Sequence, residues 1–184
     1  MKSEIPSVGL RLGSMLLDHF IMCFLLIPPF ILILFVTGTN VPFEMPVYPF
    51  YAIILIYLNK DGILGQSIAK RLVGLQVIDR KTGLPANELK CFLRNMTIPV
   101  WPIEAIAVLI SPSRRIGDLI ANTRTVVEDK KPPLTILSDL KGRRPNANTW
   151  LTLIACVAYA ALLWLAMDSL GMNSSSPRFQ PPVQ

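Results

Sequence analysis

The chain contains one histidine, His19, and three cysteines, Cys23, Cys91 and Cys156, that form no CxxC pair. A single histidine excludes most nucleophile–histidine–acid arrangements, and no nucleophile–base pair is apparent. The scattered thiols give neither a disulfide framework nor metal-ligand spacing, so they read as packing residues. The segment "GILGQSIAKR" lacks the G-K-[ST] ending of a phosphate-binding loop. Charge is scarce as well, at 16% of 184 residues, against about 25% in ordinary soluble domains. The net charge of +6 comes without an aromatic-interleaved basic stripe, which argues against nucleic acid. No metal, no cofactor and no enzymatic activity are expected.

The missing charge is concentrated in apolar blocks, the pattern of a membrane protein. The first block runs from Val8 to Val36 and exceeds the ~20 residues that cross a bilayer. Its Pro28-Pro29 pair predicts a kink. No A-x-A-like site follows, so the block reads as an uncleaved anchor. The loop from Thr37 to Met45 has no lysine or arginine. Pro46 to Leu58 is rich in tyrosine, and spans are expected near 10–36 and 42–58. The third apolar stretch, Met96 to Pro112, is broken by Pro99 and Pro102. Trp150 to Met167 is uninterrupted and long enough to span. The Ser/Pro-rich tail, 169–184, is expected to be disordered.

Short basic loops stay in the cytoplasm, which places the Thr37–Met45 loop outside and the N-terminus inside. Both regions flanking Met96–Pro112 are strongly basic, so that stretch should enter and return on one side. The fold expected is an all-α membrane protein with three transmembrane helices and a proline-broken re-entrant or interfacial hairpin over 89–112. Four full spans are the alternative. Two β-like runs, 74–79 and 123–128, should pair into a small cytoplasmic ribbon packed on the helices. Residues 1–128 then form one membrane domain, 129–149 a cytoplasmic linker and 150–168 a C-terminal transmembrane helix.

"RLGSMLLD", "GQSIAKRLVGLQVIDRKTG" and "RRIGDLIANTRTVV" together resemble the RDD family of bacterial membrane proteins, over roughly Val8 to Val127. The family is named for an arginine and two aspartates, and on this match Arg11, Asp18 and Asp118 take those positions. Ala69, Gly117 and Asn122 depart from its usual glycine, histidine and glycine. Asn122 can still adopt the left-handed backbone that the turn needs. The resemblance implies a role in transport of ligands not specified.

Arg11 and Asp18 lie seven residues apart on nearly one helix face, ~10.5 Å along the axis. That is too far for a salt bridge within the helix, so each needs a partner elsewhere. An aspartate in a span costs ~2.5–3.5 kcal/mol on insertion scales. Arg11 is expected to pair with Asp118, and Asp18 with backbone amides at the broken hairpin or with Thr97. His19 points about 100° away from Asp18 and is a secondary proton-relay candidate. Glu104, after a proline break, should cap a half-helix N-terminus. Lys70, Arg71, Arg114 and Arg115 read as lipid-headgroup anchors.

The function expected is a non-enzymatic accessory or scaffold subunit of a larger membrane complex. The alternative is a homo-oligomeric transport component for a small cation or proton, using Asp18. The expected partners are a bilayer with anionic headgroups and another integral membrane protein or a second copy. The location expected is the bacterial inner membrane.

Overall fold

The structure is a computed structural model that describes residues 4–37, 44–97, 101–111 and 114–169. Its elements in order are α1 (Val8–Thr37), α2 (Glu44–Leu58), α3 (Ile68–Val73), β1 (Leu75–Asp79), α4 (Glu88–Asn95), α5 (Trp101–Ile110), α6 (Ile116–Ile120), β2 (Thr123–Val127), α7 (Thr135–Lys141) and α8 (Ala147–Ser169). The Pro99 break, most of the Thr37–Met45 loop and the tail after Ser169 lie outside the described residues.

Among the described residues, two helices are long and apolar enough to cross a membrane: α1 over Val8–Ile33, and α8. Only 11% of each spanning window is buried inside the fold, so these apolar faces point outward, as lipid-facing helices require. α1 remains helical through Pro28 and Pro29. α2 has 15 residues, about 22 Å at 1.5 Å per residue, less than the ~30 Å of hydrocarbon.

α2, α4 and α8 pack around Leu58, Phe92 and Cys156, with Tyr159 stacked edge-on against Phe92 at 6.1 Å. A second cluster joins Val77 of β1, Ala86 and Cys91 of α4. Burial, and then Asp61, push the Cys91 thiol up to about 12, which leaves it inert at neutral pH.

β1 and β2 pair antiparallel, from Leu75 opposite Val127 to Asp79 opposite Thr123, within one residue of the ribbon predicted from alternation. Cys91 and Ala86 cover Val77 on that ribbon. Two backbone positions shape this region. Gly65, at φ +66°, would place a Cβ 2.2 Å from the Val77 carbonyl oxygen. Asn122 adopts φ 52° in the turn before β2, the left-handed conformation open to an asparagine.

Short helices are held by side-chain caps that satisfy free amides. Ser67 Oγ accepts from the Lys70 amide at the start of α3, and Asn87 Oδ1 accepts from the Lys90 amide at the start of α4. The segment 129–149, expected as a linker, is not a free connection. It carries α7, and Arg143 donates to the Gly62 carbonyl and pairs with Glu88 at 2.9 Å.

Phe92→Ala removes the centre of the α2–α4–α8 core. It should destabilise the protein by about 3–5 kcal/mol, measured as a lowered midpoint of thermal unfolding in mild detergent.

Candidate functional site

A ring of alternating charge closes on α1. Asp18 of α1 accepts from Lys70 of α3 at 2.8 Å. The same Lys70 ammonium donates to Asp61, in the turn after α2, at 2.7 Å. Asp61 faces Arg94 of α4 at 3.6 Å, and Arg94 faces Asp118 of α6 at 3.0 Å. Asp118 accepts from Arg11, back on α1. Arg11 and Asp18, too far apart to meet, are thus joined through Lys70, Asp61, Arg94 and Asp118. All six are buried.

Further groups stand beside this ring. Thr123 Oγ1 donates to Asp118, and the Arg115 amide donates to the same carboxylate. Arg115 also donates to Asn95 Oδ1 at 2.6 Å, while Asn95 donates to the Leu58 carbonyl and to Asp61. Lys60 stands 3.6 Å from Asp18 and 4.4 Å from the centre of the Tyr57 ring.

Burial alone would raise the Asp118 carboxyl, but Arg94, then Arg11 and Arg115, hold it well below the usual carboxylate range. Asp61 is likewise depressed: Lys70, Arg94 and Lys60 overcome the effect of burial. Lys60 is pushed down to about 8 by burial, against the pull of Asp18.

Several sequence expectations change. Lys70, Arg71 and Arg115 are not headgroup anchors, because an anchor must reach the lipid surface and these side chains are buried against acids. Lys70 holds Asp18 and Asp61. Arg71 donates to Thr135 and to Asp139 at 2.7 Å, both on α7. Arg115 lies 3.7 Å from Glu104. Arg114 is half-buried. Asp18 finds lysines rather than hairpin amides, and Thr97 donates to the Arg94 carbonyl instead. Glu104 caps, but not its own helix: its Oε1 accepts from the Gly117 amide in the first turn of α6 at 2.9 Å.

His19 is outside the ring. It is exposed and sits 3.2 Å from the Tyr57 hydroxyl and 3.6 Å from Cys23 Sγ. Sequence reasoning missed Asp61, Arg94 and Asn95. The available signal was an acid in "NKDG" at the very end of an apolar block, and a polar pair closing the short helix before Met96. Among the described residues, no group of His, Cys, Asp and Glu side chains could hold a metal ion.

Removing one member of such a ring leaves its neighbours charged and buried. Asp118→Asn should therefore destabilise the protein by about 3–5 kcal/mol, and a double-mutant cycle with Arg11→Met should show coupling in thermal unfolding. Acid titration tests the same ring. The folded-state values of Asp61 and Asp118 lie below their unfolded values. Their stabilising contribution is therefore full above the unfolded value of about 3.9 and is lost as pH falls through the depressed folded values. The unfolding midpoint should be insensitive to these two groups near neutrality and drop below about pH 4.

The RDD family model matches residues 5–170, passing the expected boundary at 128 and taking in α8. No curated protein and no solved structure matches the chain. With the family's arginine and its two aspartates meeting in one buried ring, and the match running over nearly the whole chain, this protein belongs to the RDD family.

Proposed function

We propose that the protein is a non-enzymatic accessory or scaffold subunit of a larger complex in the bacterial inner membrane. The observation that carries this reading is the closed ring of charge. It ties α1 to α3, α4 and α6, and it leaves Asp18 bonded to Lys70 rather than open to a passing ion. A rigid polar body beneath lipid-facing helices suits a part that steadies a neighbour.

The topology we propose has the N-terminus, the ribbon and α7 in the cytoplasm. Antiparallel pairing of β1 with β2 supports it, because hydrogen-bonded strands share one side of a bilayer and α4 to α6 lie between them in the chain. α4 and α5 then form a re-entrant or interfacial hairpin, covered by protein as such backbone must be. α1, α2 and α8 make three crossings, with α2 as the short one. The partner is another integral membrane protein, met through the outward apolar side of α8, with anionic lipid around the helices.

A second reading keeps a specific observation in its favour. A cavity of about 320 Å³ adjoins Asp18, and a homo-oligomer could use it to move a small cation or a proton.

A photo-reactive residue in place of Val157, which is 70% exposed on α8, separates these readings in native membranes. The accessory role predicts one discrete adduct with a larger membrane protein, and no ion flux from the isolated chain in vesicles. Self-adducts together with flux abolished by Asp18→Asn would favour the transport reading. Adducts with lipid alone would overturn the accessory role.

A further inference from the structure

The same cavity has a charge balance and a donor set that the ring does not use. Its wall presents five bases, Arg11, Lys60, Lys70, Arg94 and Arg115, and two acids, Asp18 and Glu104. Asp61 and Asp118 behind the wall bring the acids to four. Among the described residues this leaves one positive charge over, on side chains of which none is more than 8% exposed. A surplus charge in such surroundings is costly until it is neutralised.

Independent donors face the same space. Ser14 Oγ and Thr125 Oγ1 are on the wall, each residue is 2% exposed, and neither hydroxyl has a hydrogen-bond partner among the described residues. Buried hydroxyls are otherwise almost always paired. Lys60 contacts only a carboxylate at 3.6 Å and a ring face, so its ammonium makes no hydrogen bond among the described residues. The rest of the wall is His19, Tyr57 and an apolar part formed by Leu12, Met15, Leu16, Leu75 and Ala105.

We propose that this cavity binds one singly charged oxyanion bearing a small apolar group, held by Lys60, Ser14 and Thr125 with its hydrocarbon against the α1 wall. A single negative charge neutralises the surplus, whereas a dianion overshoots it. Two oxygens can share three donors. About 320 Å³ is room for about ten waters at ~30 Å³ each, or for a short carboxylic acid. The phosphodiester of a lipid headgroup offers the same charge and oxygens, and the two sources are separable by experiment.

Protonation follows from the same geometry. Lys60 shares this space with Arg11, Asp18 and His19 from α1, Tyr57 from α2, Asp61 in its own turn, Lys70 from α3, Arg94 from α4, Glu104 from α5 and Arg115 ahead of α6. Burial brings its ammonium down to about 8, so the empty site sheds its surplus charge as pH rises, and a bound anion holds the proton in place. Occupancy is thereby linked to proton uptake at Lys60. This site goes beyond the accessory role and is tested on the isolated chain, so each can fail without the other.

The test is calorimetric titration of delipidated, detergent-solubilised protein with butyrate, with sulfate as the dianion control. Butyrate should bind once per chain and more tightly than sulfate. Its affinity should fall about tenfold between about pH 7 and pH 9, as Lys60 loses its proton. Lys60→Gln should weaken binding at least about tenfold, and Lys60→Arg should restore it. If Lys60→Gln does not fold, the pH profile of the unaltered protein decides. One phosphatidylglycerol retained per chain in native mass spectrometry, blocking butyrate and lost on Lys60→Gln, would identify the lipid as the source and support the site. Saturable binding of neither butyrate nor phosphatidylglycerol, or binding indifferent to pH and to Lys60→Gln, would overturn it.

Discussion

Two charges on one helix, Arg11 and Asp18, cannot neutralise each other across ~10.5 Å, and the fold answers with a path of counterions running outside the helix. Lys70, Asp61, Arg94 and Asp118 come from three helices and a turn, and the three on helices are placed by ordinary local devices. Ser67 caps the helix that carries Lys70. Asn87 caps the helix that carries Arg94. The Asp118 carboxylate accepts the Arg115 amide at the start of its own helix. Taken singly these buried pairs barely offset their desolvation. What they do together is fix position, because every member faces an opposite charge only when all four carrying segments are seated against α1.

Close approach at Gly117 is part of the same fit. A Cβ there would lie 1.9 Å from the Arg94 carbonyl oxygen, and the Gly117 amide is the group that Glu104 reaches. Where the RDD pattern has histidine, this chain brings α6 directly against the α4 backbone. Arg94 is therefore gripped twice, by its carbonyl's neighbours and by its guanidinium's acids. A side chain at this position would have to displace the α4 backbone, while Asp118 in the next position faces the ring.

What was legible in the sequence was what is decided locally. Alternation in "LQVID" and "TRTVV" located both strands, the continuous apolar runs located α1 and α8, and Asn122 announced its left-handed turn. The meeting of Arg11 with Asp118 could be reasoned from the need of a buried charge for a partner and from both lying toward one face. The remaining partners could not. Lys70 and Arg71 sit in a basic stretch that, by composition, is the same whether its side chains face lipid or acids inside the fold. Asp139, which holds Arg71, lies in a segment with too little apolar character to announce α7. Pairing over such separations is set by how helices stack, and hydropathy carries no record of it.

The ring also sets a schedule for synthesis. Asp18 meets its lysine 52 residues later in the chain, and Arg11 meets Asp118 after 107. At ~5–20 residues per second, α1 leaves the ribosome about 5–20 s before its arginine has an acid to face. Asp18 waits for about half of that interval and Arg11 for all of it. The seating of α1 against its counterions is therefore completed late, when α6 arrives.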